Sequence, residues 1–247
     1  MQGGMQCRPN VQICRTQDTR KRSMAHGGAR SPQRTFTRHE WRIIQRLRTP
    51  LQVQRYLNAL PYNQESHGQT LRSFRGVVRH GSAHCMEAAL AAAVILEQHR
   101  YPPLLMSFES ADYLDHVMFV YRWRGKWGSV ARSRDPGLHG RTPSFRTARD
   151  LALSYVEPYV DWTGRITAYA VVDLRMLGEY DWRLSTRNVW KTERLLQDYT
   201  HRPICSSDKR IARFRRRFLT FVNDHPNQKP LYFTGQDRWT ELPRQFR

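Results

Sequence analysis

One strongly apolar segment constrains the fold of this chain more than any other. Residues 83–98 are dominated by Ala, Val, Ile and Leu, and Ser82, which follows Gly81, can serve as the N-cap of a helix. A helix that is apolar on nearly every side has to be buried on most of its surface. A chain of 247 residues is long enough to surround it, so we expect one sizeable core.

An antiparallel meander is predicted after this helix. The two prolines at 102–103 end it, and the next two segments, 104–108 and 116–123, have the apolar and aromatic composition of strands. A tight turn at residues 124–126 leads into a third strand that begins at Trp127.

The remaining predicted elements are shorter or less regular. They are one or two helices around Pro50 (41–60), a short extended or helical piece (71–78), a helix (147–156), a strand (166–174) and two C-terminal helices (189–199 and 208–222).

Composition divides the chain into three parts. Residues 1–38 are rich in Gln, Gly, Ser, Thr and Arg and have almost no periodic apolar residues, so we interpret them as a disordered basic leader. We assign the core to residues 39–160. Residues 161–247 supply a strand and helices that complete or flank this core, and they end in a tail without a pattern.

The excess of positive charge suggests a second type of function. The chain has 41 Lys and Arg against 21 Asp and Glu, a formal net charge of +20. Such a surface attracts polyanions, and a basic nucleic-acid-binding protein is therefore one alternative. Its contact helix would be residues 209–218, where arginines alternate with Phe214 and Phe218, although a solvated amphipathic helix explains the same pattern.

The cysteines and the hydropathy pattern argue against several other classes of protein. Neither a zinc spacing nor a disulfide framework is apparent among the four cysteines, Cys7, Cys14, Cys85 and Cys205. The sequence also has no apolar signal segment and no run as long as a membrane span. We therefore expect a cytoplasmic protein without metal or cofactor and without membrane contact.

Cys85 is the first candidate for chemistry because it falls in the first turn of the apolar helix. The free backbone N–H groups and the positive end of the helix dipole favour a thiolate there. A thiolate is the nucleophile that acyl transfer needs. An inert core thiol is the alternative, since cysteine is among the most buried residue types. His84 precedes it, and we expect this side chain to point away and to have a structural role.

His116, at the start of the second strand, is the candidate base. A cysteine on a helix start followed by a histidine on a strand is the arrangement of papain-like enzymes, and a third group should orient the imidazole. If residues 125–126 form the hairpin turn, His116 lies opposite Asp135; if residues 124–125 do, it faces Ser133. Asp135 precedes Pro136 and could equally be a turn-forming residue.

Over residues 41–159 the chain resembles the transglutaminase-like superfamily of papain-related cysteine enzymes, specifically its compact bacterial members. The resemblance rests on Ala83-His84-Cys85-Met86-Glu87-Ala88-Ala89-Leu90, Asp115-His116-Val117, Gly125-Lys126-Trp127-Gly128, Arg141-Thr142-Pro143 and Leu153-Ser154-Tyr155. It implies an α+β fold in which the cysteine helix packs on an antiparallel sheet. It also implies cysteine-dependent acyl transfer on the amide bonds of a peptide or protein, by hydrolysis or by transfer to an amine.

The resemblance is incomplete at the third member of the triad. Many members of the superfamily place an Asp four residues after the tryptophan that corresponds to Trp127, and here that position is Ala131. Either Asp135 or Ser133 takes its place, or the protein is a catalytically inactive binding module on the same fold. A side-chain donor for the oxyanion could come from the loop of Tyr62, Asn63 and Gln64, for which a plain loop role is the alternative.

Overall fold

The computed structural model describes residues 36–113 and 116–226. Within these ranges the helices are α1 (Arg38–Arg46), α2 (Pro50–Ala59), α3 (Phe74–His80), α4 (Cys85–Glu97), α5 (Ala148–Leu153), α6 (Val156–Tyr159), α7 (Trp190–Asp198) and α8 (Asp208–Asp224). The strands are β1 (Leu104–Ser110), β2 (Val117–Trp123), β3 (Lys126–Val130), β4 (Ile166–Asp173) and β5 (Arg202–Pro203).

The five strands form one antiparallel sheet in the order β3-β2-β1-β4-β5. The predicted meander supplies one side of it, and β4 from the C-terminal third pairs with the other edge of β1. The fold is therefore α+β, with the cysteine helix packed on an antiparallel sheet, as the resemblance to transglutaminase-like proteins implied.

Helix α4 is the centre of the larger of two hydrophobic clusters. Its residues from Met86 to Leu96 are all buried, and they pack against α1, α2, α3 and one face of the sheet, including Phe119 of β2. The opposite face, with Met118 of β2, packs against α5, α6 and α8 in the second cluster. Alternate residues of β2 thus enter different clusters because successive strand side chains point to opposite faces.

The hairpin has the second of the two predicted registers. Trp123 pairs with Lys126, so the two loop residues are Arg124 and Gly125. Both have positive φ, 48° and 78°, as a type I′ turn requires. The register that placed Asp135 opposite His116 is therefore wrong, because it depended on a turn at 125–126.

The predicted N-cap of the central helix also differs from the observed one. Helix α4 begins at Cys85, and its N-cap is His84 rather than Ser82. Nδ1 of His84 lies 3.3 Å from the Met86 backbone nitrogen, while the Glu87 side chain accepts from the His84 N–H. Glu87 thereby satisfies the backbone donor of the N-cap residue, as in a capping box. The helix predicted at 147–156 is likewise divided into α5 and α6.

The basic C-terminal helix is amphipathic. In α8 the side chains of Ile211, Phe214 and Phe218 are buried in the second cluster, whereas Arg213 and Arg216 are exposed. The aromatic residues that alternate with its arginines are therefore core residues. Most of the leader predicted at 1–38 and the tail from residue 234 lie outside the described residues.

Within the described ranges, none of the helices combines the length and the apolar character that a membrane span requires. The same ranges contain no group of three or more His, Cys, Asp or Glu side chains arranged to hold a metal ion.

Candidate active site

Cys85 is the first residue of α4 and is partly exposed. The preceding segment is held by a short parallel bridge between Ala83 and Tyr62. In front of the thiol lies a cleft of about 520 Å³, formed by the start of α4, the loop before α3, the end of β1 and α7. The position of Cys85 at a helix N-terminus beside open space agrees with the expectation for a nucleophile.

His116 immediately precedes β2, and its ring turns toward Cys85. The ring is buried beside Phe108 and Tyr155, with centroid separations of 6.5 and 6.2 Å. Its Nε2 lies 3.0 Å from the carbonyl oxygen of Leu138. Since this carbonyl can only accept, Nε2 carries a proton and donates it, which leaves Nδ1 as the ring nitrogen for the thiol.

Two histidines hydrogen-bond to the thiol of Cys85. Burial by itself raises the pKa of this thiol, but the hydrogen bonds from His116 and His84, together with the positive charge of both rings, lower it to about 5. The thiolate is therefore the dominant form at neutral pH. The sequence predicted that Cys85 and His116 would meet, and the structure brings these two side chains together.

The orientation of His84 differs from the sequence prediction. It was expected to point away, as a neighbour within a helix would, but its N-cap backbone is extended and its ring hydrogen-bonds with Cys85. Its Nε2 lies 2.9 Å from the carbonyl oxygen of Thr70. Burial lowers the pKa of His84, yet its hydrogen bond with Cys85 and the charges of Glu87 and Cys85 raise the pKa to about 9.

Glu87, in the first turn of α4, is completely buried and ties the surrounding loop to the helix. Its carboxylate accepts from Asn63 Nδ2 at 3.0 Å, Thr70 Oγ1 at 2.9 Å, the Arg72 N–H at 3.0 Å and the His84 N–H at 3.2 Å. A buried carboxylate needs such a set of donors. No role was predicted for Glu87 from the sequence, although its spacing of three residues from the N-cap is a capping-box signal.

Tyr62 also lies beside Cys85. Its phenol is within hydrogen-bonding distance of the backbone of Cys85, and burial, with the negative charge of the thiolate, raises its pKa to about 12. The phenol therefore keeps its proton and can donate it. Of its two neighbours in the predicted loop, Asn63 is buried and bonded to Glu87, while Gln64 is exposed.

Nε2 of His116 hydrogen-bonds to the Leu138 carbonyl and not to either candidate for the third triad position. Asp135 is exposed, and its carbonyl begins the short turn Pro136–Leu138. Ser133 is buried, and its hydroxyl accepts from the N–H of Asp135 at 3.1 Å. The backbone carbonyl of Leu138 occupies the position in which the resemblance predicted a side chain.

A buried arginine holds the loop that presents this carbonyl. Arg141 donates to the carbonyl oxygens of Gly137 at 2.6 Å and His139 at 2.7 Å. Its guanidinium lies 4.3 Å from the ring centroid of Tyr155, whose hydroxyl donates to the same His139 carbonyl at 3.0 Å. Arg141 thus binds the carbonyls of the two residues on either side of Leu138. The sequence marked Arg141 through the resemblance only, without indicating this contact.

Comparisons with known proteins give limited matches. No family model matches the chain. Tubulinyl-Tyr carboxypeptidase 1 of Mus musculus is 27% identical over 79 residues, which make up 30% of this chain and 21% of that protein. The matched stretch thus spans about a fifth of the curated relative.

Two solved structures also match, with low overall similarity. LapG of Legionella pneumophila after EGTA treatment has a TM-score of 0.35 and 12% identity, over 58% of this chain and 83% of that one. The calcium-bound form of LapG has a TM-score of 0.35 and 11% identity, over 64% and 87%.

Proposed function

We propose that this chain is a cysteine-protease-like enzyme that attacks amide bonds of a peptide or protein. The observation that carries the proposal is the position of Cys85: its thiol begins a buried helix, opens on a cleft and is hydrogen-bonded by His116 and His84. An inert core thiol would have neither a lowered pKa nor an adjacent cleft. The curated relative is named as a carboxypeptidase, which points to the same class of reaction.

In the first step, the proton of the Cys85 thiol passes to Nδ1 of His116, and the resulting thiolate attacks the carbonyl carbon of the amide. The carbonyl double bond opens to an oxyanion, and the C–N bond then breaks as the nitrogen takes a proton from the His116 imidazolium. The products of this step are a free amine and a thioester on Cys85.

In the second step, water releases the acyl group. His116, now neutral, removes a proton from water, the resulting hydroxide equivalent attacks the thioester carbon, and the C–S bond breaks to give a carboxylic acid and the thiolate. An amine in place of water would give a new amide by the same sequence of bonds.

We assign two donors to the oxyanion. They are the backbone N–H of Cys85, at the positive end of α4, and the phenol of Tyr62. Donors directed at the developing negative charge stabilise the transition state. The Leu138 carbonyl fixes the ring orientation of His116, but it is uncharged and stabilises an imidazolium less than a carboxylate does. We therefore expect a modest turnover rate.

Alkylation by iodoacetamide across pH tests the proposal directly. The alkylation rate of Cys85, followed by mass spectrometry of its peptide, should rise with a midpoint near pH 5 and not near the value of about 8.5 for a free thiol. In His116→Ala the midpoint should move upward because one hydrogen bond and one positive charge are lost. Exposed His39→Ala, on α1 and outside the site, is the matched control.

An alkylation midpoint near the value of about 8.5 for a free thiol would overturn the proposal. So would a midpoint near pH 5 that His116→Ala leaves unchanged. Glutathione, alkylated in the same buffers, corrects for the reagent's own dependence on pH.

A further inference from the structure

The cleft in front of Cys85 has the opposite charge to the chain as a whole. One residue in six of the sequence is Lys or Arg. Among the described residues that line the cleft, however, there is neither a Lys nor an Arg, and three are glutamates: Glu65, Glu109 and Glu193. The Cys85 thiolate adds a further negative charge. The imidazole of His84, whose pKa is raised to about 9, offsets part of it.

The three glutamates come from three different elements and surround the open space. Glu109 is near the end of β1, with about half of its side chain exposed and one oxygen 3.1 Å from His201 Nδ1. Glu193 is in the first turn of α7. Glu65, in the loop before α3, has a carboxylate oxygen 3.8 Å from His84 Nε2. The negative charge is thus a property of the whole cleft and not of one loop.

Two exposed aromatic side chains line the same cleft. Tyr113 is 90% exposed and Trp190 is 38% exposed, although large apolar side chains are usually covered. The face of an aromatic ring attracts a cation, and tryptophan does so most strongly. Carboxylates combined with open aromatic faces are the side chains that recognise an ammonium or guanidinium group.

We propose that the cleft selects peptides with a Lys or Arg side chain close to the amide bond that Cys85 attacks. This inference rests on the proposed function of Cys85. The cationic side chain lies between Glu109 and Glu193 and against the ring of Trp190, and the amide reaches the thiol at the base of the cleft. Charge complementarity of this kind increases specificity and the rate of encounter.

The basic surface of the chain sharpens this selection. A peptide with many positive charges is repelled by the net positive charge of the chain. A single Lys or Arg side chain enters the acidic cleft in front of Cys85. Like-charge repulsion outside the site and attraction within it together discriminate between partners. We therefore expect a short cationic segment as the substrate and not a long polycation.

Protection of Cys85 from alkylation tests the inference without a known substrate. The probes are the blocked peptides acetyl-Gly-Lys-Gly-amide, acetyl-Gly-Glu-Gly-amide and acetyl-Gly-Gln-Gly-amide, added in excess to the wild-type chain reacting with iodoacetamide. The Lys peptide should slow alkylation of Cys85 at lower concentration than the other two. Its advantage should diminish as salt is raised, because the Debye length falls to about 8 Å at 0.15 M.

Variants locate the effect in the cleft. Glu109→Gln and Glu193→Gln should each weaken protection by the Lys peptide about threefold, as expected for a partly exposed charge pair, and Trp190→Ala should weaken it as well. Glu179→Gln removes the same charge from an exposed position outside the cleft and should have no effect.

Equal protection by the three peptides, or stronger protection by the Glu peptide, would overturn the inference. So would a preference for Lys that all three cleft variants retain. These outcomes are separate from the proposed function, since the midpoint of the alkylation curve reports on the thiol and the peptide preference reports on the cleft.

Discussion

At the scale of single residues, the site consists of the Cys85 thiol and the two imidazoles, His84 and His116, that hydrogen-bond to it. The thiol was identified from its place at a helix start, and the imidazole from its place at a strand start. The orienting group, the carbonyl of Leu138, is a backbone atom, and every residue has one, so the sequence carries no signal for it. His84 was misjudged because a residue at the N-cap has extended backbone and its side chain does not follow the helical spacing.

The two shifted groups predict the pH range of reactivity. The pKa of Cys85 is lowered to about 5, so its thiolate, and the stability that its hydrogen bonds supply, are lost as the pH falls through that value. The pKa of His84 is raised to about 9, so its positive charge and its share of stability are lost as the pH rises through that value. Amide cleavage should therefore be greatest between about pH 5 and 9.

Replacement of His84 checks this assignment. In His84→Gln the alkylation midpoint of Cys85 should rise, and amide cleavage should no longer decline near pH 9. If amide cleavage still declines near pH 9 in this variant, the decline belongs to another group. Exposed His80→Gln, which changes a histidine at the end of α3, is the control.

At the scale of elements, most of the helices and strands follow from periodicity. The central helix, the meander, β4, α7 and α8 lie within a few residues of their predicted positions. The hairpin register was left open between two turns because Arg124-Gly125-Lys126 permits either, and only the positive φ of Arg124 decides it. The helix predicted at 147–156 was divided because Ser154 and Tyr155 close one turn before α6 begins.

The contacts of Arg141 lead to a prediction about the loop that carries Leu138. Arg141→Lys removes the planar fork that binds the carbonyls of Gly137 and His139. We expect a loss of about 2 kcal/mol in the free energy of unfolding in urea, since hydrogen bonds to charged groups contribute about that much. The alkylation midpoint of Cys85 should also rise, because His116 loses its fixed orientation.

Arg149→Lys is the matched control, since Arg149 is exposed on α5, and its effect on unfolding should stay within about 0.5 kcal/mol. A chain with Arg141→Lys that is less stable but keeps the low thiol midpoint would limit Arg141 to a structural role.

At the scale of the whole molecule, the net charge of +20 and the acidic cleft are separate features. The sequence gives the total charge accurately. It does not indicate that the described lining of the cleft excludes Lys and Arg, because that lining is assembled from segments more than a hundred residues apart. The surface of α8, with Arg213 and Arg216 exposed, is the part of the described surface where a polyanion contact was predicted.

Heparin binding separates the two features. Any affinity for a short heparin fragment should fall steeply with salt, because cations on the protein release counterions from the polyanion. It should be unchanged in Cys85→Ala, and it should weaken with a shallower salt dependence in Arg213→Gln and Arg216→Gln. Arg100→Gln, an exposed arginine at the far end of α4, is the control.

The position of β4 in the sheet has a consequence for how the chain is synthesised. Strand β1 pairs with β4 from Leu104 opposite Asp173 to Ser110 opposite Ile166. While a ribosome is still translating the last third, that side of β1 is an unprotected apolar edge, which invites pairing with another chain. Cys85 and His116 have already emerged by then, so a nascent chain carries both side chains well before α7 can form its wall of the cleft.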